Sequence, residues 1–266
     1  MIYFVISIII RIISYIIYKR YKNLLKSPST ITQYDHAIIL GGSIGGIVTA
    51  AYLSKYFKRI TIIESDDVLN DLFMKSTPSE ILDYRYRLES PTSLGRSGVS
   101  QIYQLHGLQA EGYKILQELF PNIKDKLFNE YDVRTYSMKN ELRVMNSGVL
   151  LNQDLTEDFH WLGIDRFTLE IVLRKELCLK FDKQIEWKCN TRVMGLIVDQ
   201  SLNVVKGIKY RLKKNHDSLS FDIYGDFIID CTGRNTSSPK WLKENFNLII
   251  PTVQIHFGYG NCYIYW

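Results

Sequence analysis

Apolar and polar positions divide the chain into segments of different period. Residues 2–18 are nearly all apolar and rich in Ile, interrupted by Ser7, Arg11 and Ser14. A polar stretch over 19–34 follows, with Ser27-Pro28-Ser29-Thr30 at its centre. The apolar run from His36 to Leu40 ends in glycines, a helix-like stretch reaches Leu53, and a second run, Arg59 to Ile63, stops at Glu64. That order is strand, tight turn, helix, strand, acid, the layout of a dinucleotide-binding βαβ unit. Residues 65–95 carry no clear period and contain Pro78 and Pro91, which predicts an excursion with short helices. From Gly107 to Phe120, the positions of Leu108, Ile115, Leu116 and Leu119 predict an amphipathic helix stopped by Pro121.

Further on, Met145 to Val149 predicts a hairpin turn between two short strands. Arg166 to Phe181 predicts a helix with Leu169, Val172, Leu173, Leu177 and Phe181 on one face. Strand-like runs at 184–188, 191–198, 204–212 and 218–224 are separated by short polar turns, which predicts an antiparallel meander. The run from Asp226 to Gly233 is apolar and ends in glycine, as expected of a strand returning to the parallel sheet. The fold class is therefore α/β: a parallel Rossmann-like sheet with helices on both faces, an inserted antiparallel β-meander and an N-terminal apolar helix.

Composition adds a membrane expectation and removes a nucleic-acid one. The chain has 266 residues, 46% of them hydrophobic, with 33 basic residues against 28 acidic. Five of the basic residues, Arg11, Lys19, Arg20, Lys22 and Lys26, precede the first acid, Asp35, so the remainder is balanced and no nucleic-acid footprint is left. Residues 2–18 are at the short end for a spanning helix, and Arg11 within them costs a few kcal/mol unless it snorkels. No small-residue cleavage site follows, which favours an uncleaved anchor over a removed signal peptide. The basic cluster lies after the apolar segment, which puts the bulk of the protein on the cytoplasmic side of a single-pass anchor; a helix lying in the interface is the alternative. Residues 1–26 are thus an anchor with a basic flank in contact with membrane lipid, 27–35 a linker, and 36–260 a nucleotide-binding domain. Cys178, Cys189, Cys231 and Cys262 show no CxxC spacing, so neither a zinc site nor a disulfide framework is expected.

The glycine cluster carries the chemistry. Gly41 permits the tight turn at the strand end, and the small residue Ser43, where the fingerprint's second glycine is expected, still lets backbone approach a pyrophosphate. Gly42 and Gly45 complete the cluster. Gly46 lets the helix pack close to the sheet, and the free N–H groups at the helix start near Ile44 face the phosphate. Glu64, about 20 residues on, can accept hydrogen bonds from ribose hydroxyls. The motif binds a dinucleotide without saying which.

Four stretches, in order, resemble the FAD-dependent oxidoreductases with the p-hydroxybenzoate-hydroxylase-type fold, the group A flavoprotein monooxygenases and their reductase relatives. They are Gly41-Gly-Ser-Ile-Gly-Gly46 with Glu64; Arg96-Ser-Gly-Val-Ser-Gln101 continuing to His106-Gly-Leu and a Leu-containing helix ending in Phe120-Pro121; Asp165-Arg166-Phe-Thr-Leu169-Glu170; and Asp226-Phe-Ile-Ile-Asp230-Cys-Thr-Gly-Arg234 continuing to Trp241. One bacterial-type branch of that family reads Gly-Gly-Ser in the fingerprint. The resemblance implies FAD as cofactor with NAD(P)H as candidate electron donor, Glu64 on the adenosine ribose, and Arg96 and Arg166 along the ribityl chain and pyrophosphate. It also implies a place for Gln101 near the flavin. His106 is either a flavin-side residue or a packed helix-start histidine. The strand that ends at Asp230 and Cys231 would lie under the flavin, with Gly233 letting backbone close in.

Two departures stand out. The monooxygenases usually carry Asp-Gly where this chain has Thr232-Gly233, a pattern of general FAD oxidoreductases. The family also continues into a Gly-Asp motif and a substrate-binding sheet, so the resemblance implies a C-terminally truncated member. The expectation is a membrane-anchored FAD-dependent oxidoreductase acting on an apolar small molecule, with no acid–base or nucleophilic side chain nominated because the chemistry belongs to the flavin. Alternatives are a catalytically inactive, membrane-tethered FAD-binding remnant and an NAD-dependent dehydrogenase.

Overall fold

The computed structural model describes residues 33–85, 96, 99, 102, 105–141, 143, 145–150, 158–213 and 219–253. The chain runs β1 (Tyr34–Leu40), α1 (Ile44–Leu53), β2 (Phe57–Ile63), α2 (Leu72–Lys75), α3 (Pro78–Arg85), β3 (Leu105–Leu108), α4 (Ala110–Leu119) and α5 (Ile123–Tyr131). It continues with β4 (Arg134–Ser137), β5 (Met145–Asn146), β6 (Val149–Leu150), β7 (His160–Asp165), α6 (Arg166–Lys180) and β8 (Ile185–Lys188). Last come β9 (Thr191–Asp199), β10 (Val204–Leu212), β11 (Phe221–Tyr224), β12 (Phe227–Asp230), a 3-10 turn (Gly233–Asn235) and α7 (Ser238–Phe246).

A four-stranded parallel sheet in the order β12-β1-β2-β8 is the spine. Ala37–Leu40 of β1 and Ile60–Ile63 of β2 are buried and, Thr61 apart, apolar, because both faces are covered. Ala37, Ile39, Ile60 and Ile62 point into a core shared with Ile47, Ala50 and Ala51 of α1 and with Val172, Leu173 and Leu177 of α6. The alternate residues Ile38, Leu40 and Ile63 meet Ile208 of β10 and Trp241 of α7 instead, with Val193, Leu196, Tyr210 and Ile223 packed around them. Helices lie on both faces, as expected, but unequally: α1 and α6 cover one, and on the other α7 shares the cover with the antiparallel sheet β11-β10-β9.

Three further details differ from the sequence reading. The run at 184–188 is not part of the meander; as β8 it pairs parallel with β2, Ile60 opposite Ile185. Gly107 and Leu108 lie on β3 rather than at a helix start, and α4 begins at Ala110. A Cβ on Gly107 would come within 2.3 Å of the Trp161 ring, so this glycine serves close strand packing. Within α4 the buried residues are Tyr113, Leu116 and Leu119, and Ile115 faces solvent. The sheet β3-β7-β4 and helix α5 have no counterpart among the expected elements. The hairpin at 145–150 forms, with Ser147 and Gly148 both at positive φ in the turn. No helix among the described residues is long and apolar enough to cross a membrane, and residues 2–18, where the anchor is expected, lie outside the described residues.

Candidate functional site

The carboxyl ends of parallel strands are where ligands bind in open α/β sheets. Here β1, β2 and β12 end around a groove of about 300 Å³ whose lining includes Gly41, Ser43, Glu64, Asp66, Arg96, Thr191, Cys231 and Trp241. Gly41 leaves β1 at φ +97°, a left-handed conformation natural to glycine. A Cβ there would lie 2.7 Å from the carbonyl oxygen of Cys231, so β12 closes directly against the turn. At Gly46 the fit is tighter still, since a Cβ would sit 1.9 Å from the Gly41 carbonyl oxygen. The first turn of α1 is folded onto the end of β1. Gly45, by contrast, has nothing within 4 Å of its Cβ direction and looks into open space.

Ser43 is the N-cap of α1, with extended backbone at φ −84° and ψ −172°, but its side chain makes no cap hydrogen bond. The hydroxyl donates instead to Glu170 Oε2 at 2.5 Å and accepts from Arg166 Nη2 at 3.1 Å. The N–H groups of the first turn are thereby left without a side-chain acceptor, and the helix dipole points its positive end at the groove.

Glu64 follows β2 directly and is buried. Its Oε2 accepts the Gly42 N–H at 2.7 Å, and its Oε1 accepts the Asp66 N–H at 2.9 Å. The acid thus ties the glycine turn to the next strand end. Gly42 has its own constraint: a Cβ would press on the Trp187 ring at 2.5 Å.

Arg96 lies at the centre of a buried charge cluster. Its Nη1 is 3.3 Å from Glu64 Oε1 and 3.2 Å from Asp66 Oδ2, and its Nε is 3.0 Å from Glu170 Oε1. Burial acts against the guanidinium's charge, but Glu170, Glu64 and Asp66 outweigh it and hold the pKa above its ordinary value. Glu170 also accepts from Arg174 Nη2 at 2.5 Å. Glu64, Asp66 and Glu170 thus share Arg96, Arg174 is a second guanidinium on Glu170, and Lys213 reaches Asp66 from the rim at 3.6 Å. Arg166 opens α6, whose N-terminus is capped by Asp165 accepting from the Thr168 N–H at 2.8 Å. Its buried Nε has no hydrogen-bond partner among the described residues.

On the far side, Asp230 ends β12 and is held by hydroxyls. It accepts from the Thr232 N–H at 2.8 Å and from the hydroxyls of Thr232, Thr236 and Ser238. Burial pushes its pKa up, but these donors, Ser238 first, bring it below the usual carboxylate range. Cys231 lines the groove with a thiol whose pKa is raised by burial. Gly233, at φ +78°, opens the 3-10 turn and has no neighbour crowding it.

Of the residues nominated from sequence, Gly41, Gly42, Ser43, Ile44, Gly45, Gly46, Glu64, Arg96, Arg166, Asp230 and Gly233 fall at one end of the parallel sheet. Gln101 lies outside the described residues. His106 is on β3 opposite Ile164, and so is not at a helix start. The nominations missed Glu170, Arg174 and Asp66. Glu170 and Arg174 carried a signal, an i,i+4 charge pair within the largely apolar stretch Phe167 to Leu177, where unpaired charge is not tolerated.

No family model matches the chain. Among curated proteins it is similar to Protein Rv3254 of Mycobacterium tuberculosis, 24% identical over 221 residues, covering 79% of this chain and 40% of that protein. The chain therefore spans well under half the length of this curated relative. Among solved structures it is similar to Thermovibrio ammonificans THI4, at 16% identity and TM-score 0.47, covering 89% of this chain and 70% of that one. It is also similar to the p-nitrophenol 4-monooxygenase PnpA from Pseudomonas putida DLL-E4, at 14% identity and TM-score 0.49, covering 79% and 44%. A third is the myxobacterial chondrochloren halogenase CndH, described as a variant of FAD-dependent halogenases, at 12% identity and TM-score 0.46, covering 77% and 38%.

Proposed function

We propose that this chain binds FAD at the Gly41–Gly46 turn and belongs to a FAD-dependent oxidoreductase of the monooxygenase type. One observation carries the binding step: a glycine turn with no room for a Cβ at 41, 42 or 46 is folded against a helix whose N-terminal N–H groups no side chain caps. Such a turn is a ready anion site, and a dinucleotide pyrophosphate fits it. Arg166, with its guanidinium at Ser43 and a buried Nε that lacks a partner among the described residues, would serve the same phosphates. Glu64 Oε2 accepts only the Gly42 N–H among the described residues, which leaves it a lone pair that would take a ribose hydroxyl. Asp230, anchored by three hydroxyls, and Gly233 would carry backbone under the ring system.

Bound FAD would supply the redox chemistry, and the chain's own residues would bind, orient and shield it. The first three stretches support the finer reading, oxygenation of an apolar small molecule with NAD(P)H as donor, while Thr232-Gly233 in the fourth follows the general FAD oxidoreductases. The apolar segment 2–18, with the basic residues after it, supports an attachment to lipid that would bring such a substrate within reach. The test is to purify the full chain, add FAD or NAD+, and record which one co-elutes with the protein. FAD retained at one per chain is the expected result. Retention of NAD+ without FAD overturns the proposal in favour of a nicotinamide enzyme.

A further inference from the structure

Glu170 is the most deeply placed carboxylate of the cluster, 1% exposed, in the second turn of α6 between buried Leu169 and Ile171. A carboxylate there is costly unless its oxygens are matched, and three groups match them: the Ser43 hydroxyl, Arg96 and Arg174. Two of these partners belong to the helix itself and to the charge cluster. The third belongs to the glycine turn, 127 residues away in sequence.

That third contact has a chemical meaning. A serine at an N-cap ordinarily turns its oxygen back onto the N–H of the second or third helical residue, here Gly45 or Gly46. Ser43 has the extended backbone that such a cap requires, and it still makes no cap bond. Its hydroxyl proton is committed to Glu170 and its oxygen is taken by Arg166. A self-capped serine would occupy the same N–H groups a phosphate needs, at the place where the fingerprint has a glycine with no side chain to compete.

We propose that Glu170 is a positioning residue that draws the Ser43 hydroxyl away from the N-terminus of α1 and so keeps the Gly45 and Gly46 N–H groups open for an anionic ligand. This rests on the cofactor reading for the identity of the ligand, but the conformational claim stands apart from it. Arg96 and Arg174 neutralise Glu170, so the carboxylate can sit close to the turn without repelling a phosphate. Arg166 holds the hydroxyl oxygen from the other side, and its own Nε meets no acceptor among the described residues.

The experiment uses the full chain with four sequences: unmodified, Glu170→Gln, Ser43→Gly and both together. Amide exchange at Gly45 and Gly46 is followed without ligand, and the FAD dissociation constant is measured by flavin fluorescence. With Glu170→Gln the amide oxygen stays on Arg96 and Arg174, which only donate, and the NH2 group faces Ser43, so the hydroxyl proton loses its acceptor and the serine can turn to cap the helix; exchange at Gly45 or Gly46 slows and FAD binding weakens about tenfold, the scale of one N-cap. In the Ser43→Gly background the same Glu170 change alters FAD affinity less than about threefold, because no hydroxyl remains to compete. Exchange that is unchanged or faster in Glu170→Gln, or equal affinity losses in both backgrounds, overturns the inference. If Glu170→Gln does not fold, Ser43→Ala decides. It removes the hydroxyl and should keep FAD within about threefold, whereas a tenfold loss makes the hydroxyl itself a ligand contact and overturns the inference. An unmodified chain that takes up no FAD overturns the cofactor proposal alone, and the exchange measurement still decides the role of Glu170.

Discussion

Gly45 and Gly46 are adjacent glycines of one helix for which the structure requires opposite outcomes on substitution by alanine. An alanine Cβ at position 46 would lie 1.9 Å from the Gly41 carbonyl oxygen, against an ordinary contact of 3.4 Å or more. The helix end must therefore withdraw by about 1.5 Å, or the turn must open by as much, to restore a normal separation. Overpacking of this kind costs about 1–3 kcal/mol. Alanine returns up to about 1 kcal/mol through helix propensity. A backbone clash this short falls at the upper end of that range, so the net for Gly46→Ala is a loss of about 2 kcal/mol, or roughly 4–8 °C in Tm for a domain of this size. At position 45 the Cβ meets nothing within 4 Å, so only the propensity term acts and Gly45→Ala should hold or raise Tm by up to about 4 °C. The assay is thermal unfolding by circular dichroism, repeated with FAD. A retreat of this size takes first-turn N–H groups past hydrogen-bonding range of a phosphate, so Gly46→Ala should also lose the ligand-induced rise in Tm. A Gly46→Ala chain as stable as the unmodified one, or the same shift for both variants, would refute the close-packed turn.

Other consequences are open to direct measurement. Arg96→Met leaves Glu64, Asp66 and Glu170 facing one another without their shared cation; urea unfolding should show a loss of about 3–5 kcal/mol, and a loss under about 1 kcal/mol would mean the cluster is solvated. His36 is buried between the Tyr224 carbonyl and Thr61 Oγ1, and burial, opposed by the bond to Tyr224, lowers its pKa. The unfolded chain then takes up a proton that the folded one refuses, so stability falls as pH drops below about 6.5; His36→Gln should flatten that slope between pH 7.5 and 5.5, and an unaltered slope would assign it to other groups. If residues 2–18 attach the chain to lipid as proposed, deleting 1–30 moves it from the membrane pellet to the supernatant, and carbonate-resistant pelleting of the deletion would overturn the attachment.

The βαβ unit was legible in the sequence because each of its parts has a local cause. Two short, Ile-rich apolar runs, one closed by glycines and the other by an acid, fit strands buried on both faces, and Gly41 and Gly46 are glycines for reasons of φ and contact that the motif already encodes. The end of β12 was legible for the same reason, since Asp226 to Asp230 is short, apolar and closed by glycine. What the sequence did not show depends on distant partners. The run at 184–188 alternates no differently from the meander strands, and only its pairing with β2 assigns it to the parallel sheet. Helices were expected on the face that Ile38, Leu40 and Ile63 present, and α7 is there, but a sheet with its own apolar side shares the burial of those residues, and period alone does not choose. His106 and Gly107 sit before a good helical stretch, and their strand character comes from pairing with Ile164 and Gly163 of β7. Glu64 was nominated for a ribose, yet its bonds to Gly42, Asp66 and Arg96 show that it also holds the protein's own turn together.

The pairing of β1 with β12 also sets the order in which the site can be assembled during synthesis. β2 emerges from the ribosome within a few tens of residues of β1, so the glycine turn and α1 can begin to fold early. The other edge of β1 waits. Asp226, which accepts the His36 N–H at 2.9 Å, lies 190 residues further along, and the Cys231 carbonyl that closes on Gly41 comes after it. At about 5–20 residues per second the interval is roughly 10–40 seconds. Through that time an apolar strand edge stays open to wrong partners, so a nascent chain stalled before residue 226 should recruit chaperones that the completed domain does not.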